Sequence, residues 1–273
     1  MITAPARVGR DGRLGLRFER RGARTVVTRC GYTLPLQVLA PMALPDPASI
    51  VSILNPTGGL VGGDVLTIEV DVDAGAHACL TTPSATKVYR SASAVAVQDV
   101  ALRVAAGARL EWVPDHTIPF AGAAYRQTLT AEVGEGAAVV IVDAFAAGRV
   151  ARGETWRFAL LDSTLSLRDA RGRLLLERLT LRDGGPRGLG VTESCPYFAT
   201  IVVVADAGLG PFAERVAAAD VEAAIGVAAL PRRGAAVRCL AMDAPALGAA
   251  VEAVWTAARV EVLGAPPLAL RKP

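Results

Sequence analysis

The feature that most constrains the fold of this chain is a short pattern that occurs three times. Val-x-x-Gly-Ala followed by an apolar run is found in VDAGAHACLTTP (72–83), VAAGARLEWVPD (104–115) and VGEGAAVVIVDA (133–144). The glycines Gly75, Gly107 and Gly136 are spaced about 30 residues apart, which is typical of stacked repeats. This spacing predicts strand–turn–strand layers that stack into a coiled β structure. Ordinary hairpins with common turn residues are the alternative interpretation.

The register of the repeat also predicts where polar residues gather. The residue seven positions after each glycine is Thr82, Pro114 or Asp143, and Asp115 follows Pro114. If the layers stack in register, equivalent positions come side by side. We therefore expect these residues at one edge of the stack or along one channel through it.

The rest of the chain supports a mainly β fold. Before residue 205, short alternating or apolar runs are separated by Gly, Pro and Asp, as in strands. Residues 210–230 and 244–264 are alanine-rich and have helical spacing, and a strand is predicted between them. The fold class predicted is mainly β, a stacked-sheet, β-superhelix-like body with two C-terminal helices packed on it. We expect a single domain, 1–273.

Composition excludes several classes of function. The net charge is +3 with no basic cluster rich in aromatics, so the sequence predicts no nucleic-acid partner. It has no apolar run of about 18 residues, so no membrane span is expected. The N-terminus has no apolar core of a secretory signal. Four cysteines lie far apart, which favours reduced thiols and a cytoplasmic location over a disulfide framework: Cys30, Cys79, Cys195 and Cys239.

A glycine-rich segment, NPTGGLVGGDVLTIEV (55–70), raises the question of nucleotide binding. A phosphate loop needs a lysine after its last glycine, and a dinucleotide fingerprint needs a following helix. Here the acidic Asp64 follows Gly63, and the next segment is a strand. These glycines are better explained by tight turns between packed β layers, with Asp64 held where a cation could meet it.

The remaining candidates each have a structural alternative. LTTPSATKVYRS (80–91) concentrates hydroxyls and Lys87, but it is equally a solvated loop, and its Ser-x-x-Lys lacks the partner motifs of a serine nucleophile. His77 and Cys79 share one face of a strand and, with His116, are possible weak metal ligands or core residues. Glu177 is an acid inside an apolar run, so it faces water or lines something polar.

The segment 55–91, NPTGGLVGGDVLTIEVDVDAGAHACLTTPSATKVYRS, resembles the signature of the UreD (UreH) type of urease accessory proteins. In that family Asn-Pro-x-Gly-Gly-x-x-x-Gly-Asp leads into a strand and then Thr-Thr-x-x-x-Thr-Lys-x-Tyr. The resemblance extends over nearly the whole chain from about residue 15. Further matches are EWVPDHTIPFAGAAYRQ (111–127), GRVARGE (148–154), GRLLLERL (172–179) and the closing LRKP.

The resemblance implies a urease maturation chaperone that is not an enzyme. Such proteins are adaptors between apo-urease and the UreF-type protein, which recruits a UreG-type GTPase, and nickel is thought to pass through a polar tunnel. The domain would comprise a β body (15–206) and a helix-containing part (207–264). Nickel would be a transient ligand, with no tightly bound cofactor.

The resemblance and the repeat together give the candidate site residues. For metal transit we expect Asp64, Thr82, Thr86, Lys87, Asp143 and Glu177, the last two from our own register and pattern arguments. The structural motif residues are Gly58, Gly59, Gly63, Gly148, Arg149, Gly153 and Glu154. Two alternatives stay open: a β-rich hydrolase or transferase using Asp64, Thr82 and Lys87, or a binding scaffold without metal passage.

Overall fold

The computed structural model describes residues 11–43, 46–91, 94–186 and 190–270. Residues 1–10 and most of the closing LRKP lie outside this part. The strands are β1 Asp11–Arg21, β2 Arg24–Thr33, β3 Gln37–Val38, β4 Met42–Ala43, β5 Ser49–Leu54, β6 Val65–Val72, β7 His77–Thr81, β8 Thr86–Val88, β9 Ala96–Val104, β10 Arg109–Val113, β11 Thr117–Pro119, β12 Ala124–Val133, β13 Ala138–Ala146, β14 Leu160–Asp169, β15 Gly172–Arg182, β16 Tyr197–Val204, β17 Ala224–Ala229 and β18 Ala235–Ala241. The helices are α1 Leu209–Ala217 and α2 Ala244–Glu261, and Val150–Arg152 forms a 3-10 turn.

Two sheets face each other across the main core. The first has the order β15-β14-β12-β9-β6-β1-β2, and the second has the order β17-β18-β16-β13-β10-β7-β5-β3. Neighbouring strands are parallel from β1 to β14 in the first sheet and from β5 to β13 in the second. Between β5 and β14 the chain alternates between the sheets, so each coil gives a strand to both. The predicted stacked-sheet, superhelix-like body is confirmed.

The repeated glycines occupy equivalent turns between the two sheets. Gly75, Gly107 and Gly136 have φ angles of +70°, +64° and +65°, a region in which glycine is favoured. The Gly107 N–H donates to the Glu135 carbonyl of the next coil at 2.9 Å. The alanine after each glycine is fully buried: Ala76, Ala108 and Ala137. The repeat therefore corresponds to physical layers.

Two hydrophobic cores follow from the alternation along the strands. On β13, Val139 and Ile141 face the other sheet, whereas Val140 and Val142 face the helices. The helical layer packs on the outer side of the second sheet, with Val254 of α2 buried there. Asp243 caps α2 by accepting a hydrogen bond from the Ala246 N–H at 2.8 Å. The two C-terminal helices predicted from the sequence are confirmed in number and packing.

The boundaries predicted for the first helix were wrong. We expected a helix over 210–230, but α1 ends at Ala217 and β17 occupies the second half of that range. Alanine-rich composition favours helix, yet Ile225 and Val227 alternate with small residues and pack toward the helices. Pairing of β17 with β18 along its whole length overrides the helical propensity.

Two sequence expectations concern the membrane and the cysteines. Among the described residues, no helix combines the length and the apolar character that crossing a membrane requires. All four cysteines belong to the described part of the chain, and none of them is joined to another by a disulfide.

Candidate functional site

A cavity of about 140 Å³ opens between the two sheets. It exists because two strands of the second sheet are interrupted at the same level. β7 ends before Pro83 and β10 ends before Pro114, and proline has no N–H to continue a ladder. Strand pairing begins again at β8 and at β11. The residues between β7 and β8, and those between β10 and β11, are therefore not paired within the sheet. Their polar groups become available to line a cavity.

The cavity collects all four residues that the repeat register predicts. Thr82, Pro114, Asp115 and Asp143 all line it. The Asp115 N–H donates to Thr82 Oγ1 at 2.9 Å, which ties one coil to the next. The predicted transit residues Thr86 and Lys87 also line the cavity.

Asp143 lies at the inner end of the cavity in a network contributed by both sheets. Its Oδ1 accepts a hydrogen bond from Gln127 Nε2 at 2.8 Å, and its Oδ2 accepts one from Ser163 Oγ at 2.9 Å. Gln98 Nε2 donates to Gln127 Oε1 at 3.4 Å. Tyr125 donates its hydroxyl to the same amide oxygen at 3.0 Å. A polar layer therefore crosses an otherwise apolar core.

The polar layer continues from Asp143 toward the open edge of the sheets. Asp143, Thr200 and Arg238 are paired neighbours on β13, β16 and β18. Glu177 of β15 accepts from Thr200 Oγ1 at 3.0 Å and from Arg238 Nη1 at 2.6 Å. We call the whole set the polar file: Gln98, Gln127, Asp143, Ser163, Thr200, Glu177 and Arg238.

The environment of Asp143 makes its ionisation unfavourable. The pKa of Asp143 is raised to about 6, mainly because the group is buried. The hydrogen bonds from Gln127 and Ser163 lower the pKa and offset part of this effect. The nearby Glu177 carboxylate raises this pKa further, and Arg238 lowers it. A carboxyl group with a pKa near 6 changes charge close to neutral pH, so both forms are accessible.

This shift predicts a stabilising substitution. A carboxyl whose pKa is raised on folding stabilises the protein below its unfolded value of 3.8, and this contribution is lost as the pH rises through about 6. Asp143→Asn should therefore raise the free energy of unfolding at pH 7.5 by about 2 kcal/mol, with little gain at pH 4. The Ser163 hydroxyl can accept from the new amide. Urea unfolding at both pH values measures the effect, and equal stability of the two proteins at pH 7.5 would contradict it.

Two of the family-motif glycines, Gly58 and Gly59, line the rim of the cavity. The Leu60 N–H donates to the Lys87 carbonyl at 2.8 Å, and the Tyr89 hydroxyl donates to the Gly58 carbonyl at 3.2 Å. A Cβ on Gly59 would lie 2.4 Å from the Lys87 oxygen, so only glycine fits. The motif glycines all have positive φ: Gly58, Gly59, Gly63, Gly148 and Gly153.

Arg149 and Glu154 brace the next loop. Arg149 Nε donates to Glu154 Oε2 at 2.8 Å, and its guanidinium lies 4.2 Å from the centre of the Phe120 ring. Phe120 in turn contacts Tyr89 edge-on at a ring distance of 5.1 Å. The hydrogen bond from Arg149, against some desolvation, holds the pKa of Glu154 below its usual range. Through Phe120 and Tyr89, these motif residues connect the loop at Arg149 to the glycine-rich turn at Gly58.

Asp64 and Glu177 stand apart from the cavity lining. Asp64 is buried in the turn before β6, where its Oδ2 accepts from the Val61 N–H at 2.8 Å and its carbonyl accepts from the Val97 N–H at 2.8 Å. Asp64 is not among the residues that line the cavity. Glu177 joins the polar file through Thr200 and Arg238 instead. Of the two, only Glu177 is a neighbour of Asp143.

The possible weak metal ligands are not brought together. His77 and Cys79 face the helical layer, and His116 lies at the break in the sheet, with Nδ1 3.0 Å from Asp115 Oδ1. Throughout the described ranges, no three His, Cys, Asp or Glu side chains are placed to hold one metal ion.

His77 belongs to a buried charge network that sequence reasoning missed. Its Nε2 lies 2.7 Å from Glu111 Oε1, and Trp255 Nε1 donates to Glu111 Oε2 at 2.6 Å. Arg259 Nη1 donates to both oxygens at 2.6 and 2.8 Å, and its Nη2 donates to Asp46. Burial opposes ionisation, but the hydrogen bond and charge of His77 and the charge of Arg259 hold the pKa of Glu111 below its usual range.

The residues that sequence reasoning missed differ in whether the sequence carries a signal that could have identified them. Glu111 is an acid within an apolar strand, the same signal that identified Glu177. Gln127, Ser163 and Thr200 are polar residues at inward positions of alternating strands, so the period of two could have found them. No local signal distinguishes Arg238 from the other arginines.

Fold and site together define a two-sheet β coil with a helical layer on one side and a polar file between its sheets. Comparison with known proteins then identifies the family. The model of the UreD urease accessory protein family matches residues 10–273, and the chain belongs to this family.

Relatives of similar length support the same assignment, and each carries the name urease accessory protein UreD. The relative from Deinococcus radiodurans is 39% identical over 268 residues, which cover 96% of this chain and 95% of the relative. The relative from Haloarcula marismortui is 34% identical, covering 97% of this chain and 91% of its own length. A third, from Ralstonia nicotianae, is 37% identical over 86% of this chain and 78% of its own length. The similarity thus extends over nearly the whole chain.

Proposed function

We propose that this chain takes part in urease maturation as an adaptor that passes nickel toward apo-urease along the polar file. The UreF-type protein, and through it the UreG-type GTPase, would be its partners on the supply side. Membership of the UreD family supports the role in maturation. The observation that carries the transit proposal is the polar file itself, which crosses the core from the cavity to the exposed Arg238.

The chemistry of the file suits passage rather than storage. Apart from the Arg238 guanidinium, its groups offer carboxylate, amide and hydroxyl oxygens, which bind Ni²⁺ more weakly than imidazole or thiolate ligands do. Asp143 and Glu177 supply negative charge along the file, and Asp143 also lines the cavity. A cation bound by such groups can be released again.

The enzyme alternative has less support from the geometry. It requires Asp64, Thr82 and Lys87 to act together. Thr82 and Lys87 line the cavity, but the Asp64 carboxylate is engaged with the Val61 N–H in a buried turn. The accessory-protein names of the relatives also favour a non-catalytic role.

An adaptor needs surface for partners, and one segment offers it. Four large apolar side chains are about half exposed on β2 and the chain that follows it: Tyr32, Leu34, Leu39 and Met42. All four lie within residues 32–42 of the sequence, and exposed apolar patches are typical of interaction surfaces. This feature is consistent with a protein that works within a complex.

The transit proposal is tested by the nickel content of urease matured with variants of this chain. Asp143→Asn and Glu177→Gln should each lower nickel per urease active site several-fold at limiting nickel, because each removes a charge from the file. Because Asp143→Asn is expected to be the more stable protein, its loss of function could not be attributed to unfolding.

The matched control is Glu69→Gln, which removes an exposed carboxylate paired with Arg103 at 3.2 Å on β6. It should leave urease nickel unchanged. Formation of the complex with urease is measured in parallel by co-purification. If the complex forms and Asp143→Asn and Glu177→Gln deliver normal nickel, transit through the file is wrong and the scaffold alternative stands.

A further inference from the structure

Arg238 occupies an unusual place at the end of the polar file. It points into the space between the sheets, but the residue paired with it on the edge strand β17 is Gly226, which has no side chain to cover it. Its side chain is 57% exposed, whereas that of Glu177 is 18% exposed. Arg238 therefore lies between Glu177 and solvent.

The guanidinium already holds the position that a cation would take. Arg238 Nη1 donates to Glu177 Oε1 at 2.6 Å and also to Thr200 Oγ1. A divalent ion bound to Glu177 would meet this positive charge within a few ångströms, in a partly desolvated place where Coulomb repulsion is strong. Cation binding at Glu177 and the Arg238–Glu177 ion pair therefore compete with each other.

Arg238 also has the means to move aside. It lies on an edge-facing surface, and its long side chain can extend into water without uncovering apolar core. The ion pair is partly solvated, so separating it costs less than separating a fully buried pair. The contact is thus strong enough to compete with a cation and weak enough to be displaced.

We propose that Arg238 is a built-in competitor of the cargo cation, which keeps cation binding at Glu177 weak so that the ion is released rather than trapped. This rests on the proposed function, because the cargo is the nickel that the polar file would carry. Arg238 is then an affinity-determining residue, although it is not itself a metal ligand.

The test is equilibrium dialysis of Ni²⁺ alone against the purified full chain at pH 7.5. Arg238→Gln should bind Ni²⁺ at least about tenfold more tightly than the parent chain, since a charged hydrogen bond to the carboxylate no longer competes. Arg238→Lys keeps the positive charge and should bind within about twofold of the parent. Adding Glu177→Gln to Arg238→Gln should abolish the gain.

The matched control is Arg178→Gln on the same strand as Glu177. Arg178 is 67% exposed and pairs with Asp162 at 3.5 Å, away from the file, so its loss should leave Ni²⁺ affinity unchanged. The proposal is overturned if Arg238→Gln binds no more tightly than the parent, or if its gain survives Glu177→Gln.

The dialysis result is independent of urease, so the two proposals can fail separately. Suppose that Arg238→Gln binds Ni²⁺ more tightly while Asp143→Asn and Glu177→Gln give normal urease nickel. Competition by Arg238 at Glu177 would then be supported, and nickel passage along the polar file would be refuted. If those two variants deliver less nickel to urease but Arg238→Gln has the Ni²⁺ affinity of the parent chain, passage along the file would be supported and competition by Arg238 refuted. If both hold, Arg238→Gln should also lower urease nickel, because the ion is retained.

Discussion

Replacing Arg259 by methionine should lower the free energy of unfolding by about 3–5 kcal/mol, because it removes the cation that two buried carboxylates share. Arg259 is 1% exposed and joins α2 to Glu111 of β10 and to Asp46 before β5. Its Nε also donates to the Pro266 carbonyl at 2.8 Å, so the C-terminal segment depends on the same side chain. Chemical denaturation followed by circular dichroism measures the loss.

A surface arginine of the helical layer provides the comparison. Arg215 of α1 pairs with Glu261 of α2 at 2.8 Å, but its side chain is 51% exposed. Arg215→Met should cost less than about 1 kcal/mol, since water replaces the lost partner. Equal losses for Arg259→Met and Arg215→Met would show that the buried network does not hold the helical layer on the sheet.

Gly59→Ala should destabilise the chain by about 3 kcal/mol or more, through combined backbone strain and overlap. Gly59 has a φ of +156°, and a Cβ there would lie 2.4 Å from the Lys87 carbonyl oxygen and 2.8 Å from Tyr89 Cε2. The turn that contains Gly59 would have to shift away from β8. Thermal and urea unfolding of the variant report the change.

Gly107→Ala separates the backbone strain at positive φ from the steric overlap of the added Cβ. Gly107 also has a positive φ, +64°, but its Cβ would meet nothing within 4 Å. Only the backbone penalty applies there, about 1–2 kcal/mol. If Gly59→Ala costs no more than Gly107→Ala, the close approach at the rim is not a constraint on the fold.

The repeat made the architecture predictable from the sequence. Val-x-x-Gly-Ala encodes one turn of the coil, because glycine supplies the positive φ and the buried alanine fits between layers. The same register placed Thr82, Pro114 and Asp143 on one cavity. The family signature added Gly58 and Gly59 at the rim of the cavity, and the Arg149–Glu154 pair in a separate loop.

Other parts depend on contacts that the sequence does not encode locally. Glu111 and Arg259 are 148 residues apart, and their pairing requires α2 to pack across the second sheet. Arg238 joins the polar file only because β18 lies beside β16 and across from β15. Asp64 was expected to face a cation, but a backbone N–H three residues earlier holds its carboxylate in the turn.

The parallel part of the first sheet is bounded by antiparallel strands, β2 on one side and β15 on the other. The polar file runs across the strands, from Gln98 on β9 through β12 and β14 to Glu177 on β15. Adjacent strands are about 4.8 Å apart, so these three steps span about 14 Å. The length of the file is therefore set by the number of stacked coils: it can change only by whole strand spacings, and the antiparallel strand β15 ends it on one side.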